Sequence, residues 1–164
     1  MPHLSLPTAI VRDSYLHGET ELAIEEGLST AWIENAAADF AGFVDRRRVV
    51  REMWEVPVTE LWFVDGSDYI GTVVVRHRLT PALTQEGGHI GYHVVPRRRR
   101  RGHATRMLAQ AKPVCRDLGL ARVLITCDEA NIGSRRVVEA NGGVLERTVE
   151  GQARYWLATG PNGA

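Results

Sequence analysis

The chain has 164 residues, 44% of them hydrophobic and 24% charged, the mixture of a globular domain with its own core rather than a disordered segment. Its 20 basic side chains balance 20 acidic ones, which argues against a dedicated duplex binder, because that function calls for a positive excess. Two cysteines are too few for a disulfide framework, and no apolar run approaches the length of a membrane span. A reducing cytoplasm is therefore the expected compartment, and the N-terminus "MPHLSLPTAIVRD" lacks the basic start and apolar core of a secretion signal.

In chain order, residues 14–44 read as helical with a break near Gly27, and Trp32, Ala36 and Phe40 fall four apart on one face. Arg46 to Val56 is either a third short helix or an irregular connection, ended by Pro57. The period then changes. Leu61–Val64 is a short strand with a turn at Asp65-Gly66, and the β-branched run "YIGTVVVRHRL" is a second strand. Pro81 to Gly88 reads as a loop. "GHIGYHVVP" is a third strand, on which two-residue spacing places His89, Gly91 and His93 on one side and Ile90, Tyr92 and Val94 on the other.

Gly102 to Leu118 reads as a helix whose apolar face is Met107, Leu108, Ala111, Val114, Cys115 and Leu118, with Pro113 expected to bend or split it. "ARVLITCD" is a buried strand. "NIGSRRVVEANGG" is a helix capped near Asn131 and stopped by Gly142. "VLERTVEG" and "ARYWLA" close the chain as two strands around a turn at Gly151-Gln152, and Gly160 to Ala164 reads as a frayed tail. Helices, strands, a helix, a strand, a helix and a terminal hairpin make an α/β (α+β) domain with one mixed sheet.

The run Arg97–Arg101 lies between a strand ending at Pro96 and a helix starting near Gly102. Free N–H groups and the helix dipole favour an anion at such a start. Gly102 and Ala104 keep the first turn thin, and the arginines can add charge-assisted contacts. The competing account is a solvated arginine loop. Two-cysteine usage and the absence of any Cys/His spacing argue against a structural metal.

Arg99-x-x-Gly102-x-Ala104 resembles the acetyl-CoA pyrophosphate motif of the GNAT N-acyltransferase superfamily, the preceding "YHVVP" resembles its fourth strand, and "DEANIGSRRVVEANGG" resembles the motif that follows its fifth. The resemblance spans roughly residues 60–158. A closer likeness, to a bacterial subgroup, is carried by "VVVRHRL", "GGHIGYHV" and "VLITCDEANIGSRRVVEANGGVLE". It implies one domain over residues 1–164, with N-terminal helices at about 14–56 forming the acceptor wall. The sheet and CoA-binding core would occupy about 60–158, as a mostly antiparallel sheet with splayed central strands flanked by helices.

The resemblance also implies site residues. Main chain near Tyr92, Val94 and Val95 would hold the pantetheine arm and polarise the thioester. N–H groups from Arg100, Arg101, Gly102, His103 and Ala104, with Arg99 beside them, would hold the pyrophosphate. Asn131 would contact the pantetheine region or cap the next helix, and Ser134 would let the cofactor pass. The family's usual tyrosine acid falls at Val138, a departure. His89 is the candidate base, because a histidine titrates in the useful range, and Tyr92 a candidate for orienting the acceptor. His77, Asp128 and Glu129 are weaker candidates. Cys115 and Cys127 read as small buried hydrophobes.

The implied activity is acetyl transfer from acetyl-CoA to a primary amine of a small molecule, amino acid or peptide by direct attack. The alternative is a CoA-binding protein of weak or no turnover. No nucleic acid and no membrane are expected as partners, and a homodimer is a possible assembly from the resemblance.

Overall fold

A computed structural model of the chain describes residues 1–160; the expected tail therefore lies, from residue 161 on, outside the described residues. In chain order the elements are β1 (His3–Ser5), α1 (Arg12–Glu26), α2 (Ala31–Ala38), α3 (Phe40–Arg47), β2 (Arg51–Met53), β3 (Val56–Asp65) and β4 (Asp68–Arg76). Then follow α4 (Pro81–Gln85), β5 (Ile90–Val94), α5 (His103–Asp117), β6 (Arg122–Asp128), α6 (Ile132–Ala140), β7 (Val144–Val149) and β8 (Gln152–Ala158).

The N-terminal helices form where local signals place them. Gly27 takes a left-handed conformation (φ 68°) and closes α1 by donating its N–H to Ala23 and Ile24 carbonyls. Asp39 separates α2 from α3 and caps the latter by accepting from the Gly42 N–H at 3.1 Å. Ala36 and Phe40 thus lie on different helices, both buried, while Trp32 is 40% exposed. The segment expected as a third helix or a connection is neither. The third helix ends at Arg47, and β2 turns straight back into β3 through Trp54 and Glu55, both at positive φ (53° and 66°). Pro57 stands inside β3 opposite Glu52, near one end of the strand.

The domain is the expected α/β fold with an antiparallel sheet flanked by helices, and where the central strands part the sheet divides into two ladders. The first has the order β1-β3-β4-β5, with β2 also on β3; the second has the order β6-β8-β7. Every strand pair in these ladders is antiparallel. Strand β4 is buried on both faces, which accounts for its near-continuous β-branched sequence. On one face Phe63, Ile70, Val73 and Ile90 pack with Met107, Leu108 and Ala111 of α5. On the other, Tyr15 of α1 stacks on Trp62 at 4.3 Å between ring centres, with Phe40 and Phe43 around them.

Further differences are local. The expected loop 81–88 contains α4, capped by Thr80, whose hydroxyl accepts from the Leu83 N–H. Pro113 sits inside an unbroken α5, whose far end leaves Leu118 38% exposed. The last hairpin turns through Glu150 and Gly151, both at positive φ. β1, a three-residue strand, carries too little pattern to be read from sequence. No helix among the described residues is long and apolar enough to cross a membrane.

Candidate functional site

β5 and β6 touch at one end and part at the other. His89 donates its N–H to the Leu124 carbonyl (2.8 Å), and its ring Nδ1 accepts from the Leu124 N–H (2.9 Å). Gly88 makes this closeness possible: at φ 62°, an added Cβ would meet the Leu124 carbonyl oxygen at 2.3 Å. Toward Val94, no backbone ladder joins the two strands among the described residues.

The parted end opens into a cleft of about 640 Å³. It is lined by Tyr92, His93 and Val94 of β5, by Arg98–Arg100 and Gly102–Thr105, and by Asn131, Gly133, Ser134 and Val137 around the start of α6. The loop between Arg99 and α5 folds with Arg100 at φ 61° and Gly102 at φ 76°. No N–H from Arg100 through Thr105 donates a hydrogen bond among the described residues. A run of unpaired amides at the head of a 15-residue helix is an anion cradle. Asn131 caps α6 by accepting from the Ser134 N–H at 3.1 Å. The Tyr92 hydroxyl reaches toward the Ser134 carbonyl (3.5 Å), and burial raises its pKa.

The arginine run divides by position. Arg97 pairs with Glu21, Arg98 with Asp68 at 3.2 Å and Arg99 with Glu25 at 2.8 Å. Arg99 also donates Nε to the Val94 carbonyl at 3.1 Å, so its side chain ties the loop down. Arg100 and Arg101 make no ion pair among the described residues, and only Arg100 lines the cleft. Val95 is off the cleft altogether: its N–H bonds the Ile70 carbonyl, and its side chain packs on Gly18. His103 lies at the cleft but turns its ring edge-on to Phe63. Burial, then Arg106, lowers its pKa.

A second cleft, of about 360 Å³, adjoins the first and shares Tyr92 and His93 with it. Its floor is one face of the first sheet: Thr72, Val74 and Arg76 of β4, Glu60 of β3 and Gly91 of β5. Arg47, Arg51 and Trp32 also line it. Glu60, buried to 4% exposure, accepts from Arg47 and Arg51 (2.9 Å each) and from the Trp62 indole (2.8 Å). At the junction His93 Nε2 meets Glu19 at 2.7 Å, and Tyr69 bonds both Glu19 and Thr72 at 2.5 Å. Burial pulls the His93 pKa down, but the hydrogen bond and charge of Glu19 outweigh it and hold the imidazole above its ordinary value. A carboxylate only accepts, so Nε2 carries the proton and Nδ1 is the basic lone pair.

The residues singled out from sequence are thus sorted. His89 lines neither cleft; its Nδ1 lone pair is committed to Leu124, and burial, then Arg76, lowers its pKa. It is a pin between the sheets, not a free base. His77 bonds Thr59 at 2.7 Å, and Asp128 accepts from the Ala130 N–H, both away from the clefts. Glu129 lies outside them too. Val138 is fully buried core. Cys115 is buried with its thiol pushed up to about 11, and Cys127 is half-buried against the core. Glu19, His93 and Arg76 were not among the candidates. For Glu19 the signal was present: it falls on the buried stripe of α1, four residues from Tyr15 and from Ala23.

The family model described as the acetyltransferase (GNAT) domain matches residues 15–144. No curated protein matches the chain in sequence. Among solved structures it is similar to the microcin C7 self-immunity acetyltransferase MccE in complex with acetyl-CoA and AMP, at 18% identity over 96% of this chain and 92% of that one, with a TM-score of 0.66. It is similar to Mycobacterium smegmatis RimJ in complex with CoA-disulfide, at 18% identity over 96% and 81% and a TM-score of 0.64. The GNAT domain of S. lividans PAT aligns at 17% identity over 96% and 90%, with a TM-score of 0.62. At such identities the likeness is one of fold.

Proposed function

Because this chain belongs to the GNAT acetyltransferase family, we propose that it transfers an acetyl group from acetyl-CoA to a primary amine of a small molecule, amino acid or peptide. The observation that carries the reading is the meeting of the two clefts at neighbouring residues, Tyr92 and His93. One cleft offers unpaired amides to a diphosphate, and the other is a walled space for an acceptor.

The residues fit acetyl-CoA. Amides of Arg100 to Thr105 hold the diphosphate with Arg100 beside them, and the thin segment Gly133-Ser134 leaves the arm a passage along β5. In the reaction the acceptor nitrogen attacks the thioester carbonyl, the C–N bond forms and the C–S bond breaks. His93, with Nε2–H held by Glu19, takes the ammonium proton on Nδ1. Burial keeps the Tyr92 phenol protonated, so it can give its proton to the departing thiolate, and the second proton lost by the acylated nitrogen restores the phenol. In this reading the acid is Tyr92 and not position 138, where a core valine has no proton to offer.

We also read the chain as one domain, cytoplasmic, acting without nucleic acid or membrane and able to pair as a homodimer. The bacterial subgroup suggested by "GGHIGYHV" is part of the same proposal. The pairing of Arg97, Arg98 and Arg99 with carboxylates supports leaving nucleic acid out.

The buried Val138 favours one second reading, a CoA-binding protein without turnover. Calorimetric titration with acetyl-CoA, followed by thiol release against mixed amines, separates the two. Binding with release is the expected result. Binding without release favours the second reading, and absence of binding overturns both.

A further inference from the structure

Arg76 is unusual among the cations of the second cleft. Arg47 and Arg51 share the Glu60 carboxylate. Arg76 is buried to 9% exposure and pairs with no carboxylate among the described residues. Its Nη1 donates to the Gly87 and Gly88 carbonyls, and Trp54 stacks over the guanidinium at 4.3 Å. Its Nε is shut from solvent without an acceptor, and its Nη2 makes no hydrogen bond among the described residues. A charge taken out of water with neither counter-ion nor full hydrogen bonding is costly unless something brings the acceptor.

The guanidinium's position says where that acceptor sits. Nη2 lies 3.2 Å from the point a Gly91 Cβ would occupy, so glycine there leaves the arginine room over the cleft floor. Gly91 and His93 are two residues apart on one strand, on the same face, which spaces them by about 7 Å. His93 and Arg76 therefore face one acceptor from neighbouring positions of the same cleft.

The cleft is therefore dipolar. Glu19 and His93 stand at the end that receives the amine, and unpaired Arg76 stands at the other; Arg51, whose Nη1 also has no acceptor, lines the same cleft. We propose that Arg76 binds a carboxylate of the acceptor, so that the substrate is an amine carrying a nearby carboxylate. This rests on the transferase reading for its acceptor but on Arg76 and Gly91 for its selectivity.

That carboxylate is either the α-carboxylate of a free amino acid or the side chain of an acidic first residue of a peptide. The test is calorimetry on the full chain saturated with CoA, so that it does not depend on turnover. L-leucine is compared with L-leucinamide, and the peptide amide Glu-Ala-Ala with Gln-Ala-Ala. A preference of about tenfold or more for the carboxylate within one pair supports the proposal and identifies the source. Equal affinities within both pairs, or no binding of any of them at millimolar concentration, overturn it.

Arg76→Met is expected to abolish the preference while CoA affinity and the melting temperature stay close to those of the parent; a retained preference overturns the assignment. If that variant does not fold, the comparison of ligands on the unaltered protein still decides. Carboxylate-dependent binding without thiol release keeps this inference and removes the transferase reading. Release from amines of either kind without preference does the reverse.

Discussion

Replacing Gly102 by valine separates the cost of a backbone shape from the cost of a lost ligand contact. Gly102 has φ 76°, and nothing lies within 4 Å of an added Cβ, so the folded chain suffers no collision. What it suffers is a β-branched residue held in the left-handed region, a cost of about 1–2 kcal/mol. The binding cost is a different quantity. Gly102 lines the 640 Å³ cleft in the middle of the unpaired amides from Arg100 to Thr105, and the new side chain covers them. Losing two charge-assisted bonds to a diphosphate, each worth roughly 1.5 kcal/mol at the low end, weakens acetyl-CoA binding by about a hundredfold. Urea unfolding reads the first number and calorimetric titration the second. An affinity within threefold of the parent, in a variant that has lost the expected stability, refutes the assignment of these amides to the diphosphate.

Glu19→Gln removes the partner that holds the His93 pKa up, so burial then dominates. The base works when neutral, and the acid limb of kcat/KM should move to lower pH in a pH–rate profile; an unmoved limb excludes His93. The stability contributed by the His93–Glu19 pair carries the opposite sign. It is fully present below the unfolded histidine pKa and lost as pH rises through the raised folded value, so urea midpoints of parent and variant should converge above that value. Gly88→Ala forces a Cβ to within 2.3 Å of the Leu124 oxygen at φ 62° and should cost about 2–3 kcal/mol or more by urea unfolding. Asn131→Ala removes the α6 cap and should cost about 1 kcal/mol, measured the same way.

Much of the fold was legible because its signals are local. Gly27 and Gly142 stop helices, Asn131 caps one, and β4 announces its two-sided burial through its β-branched run. The cleft at the head of α5 was legible too, since its unpaired amides are main chain at a strand-to-helix turn. Two of the residues expected at the cofactor lie off the cleft for reasons that are not local. Val95 follows the alternation of β5 onto α1, and Arg101 is swung off the cleft by the loop's positive-φ residues.

His89 lies away from both clefts for a similar reason. Three residues of "HIGYH" share strand periodicity, but only tertiary pairing decides that His89 is spent on Leu124 while His93 meets a carboxylate 74 positions away. The β2–β3 turn was hidden because Trp54 and Glu55 occupy a conformation usually signalled by Asn or Gly. Arg76 looked like an ordinary strand residue, and its lack of a counter-ion is visible only in three dimensions.

The contact between His89 and Leu124 has a mechanical meaning. Near β5 the second sheet is held to the first by that clasp, by the Gly87 N–H on the Thr126 hydroxyl and by Arg154 on the Thr84 carbonyl, while the other end of β5 stands about 15 Å away along the strand. A molecule lying in the gap acts as a strut between the two halves. Acetyl-CoA, bound as proposed by the folded chain and not the unfolded one, would stabilise the protein in proportion to the logarithm of its concentration over its dissociation constant. The amides of β6 and α6 should then exchange more slowly with solvent deuterium in step with that stabilisation.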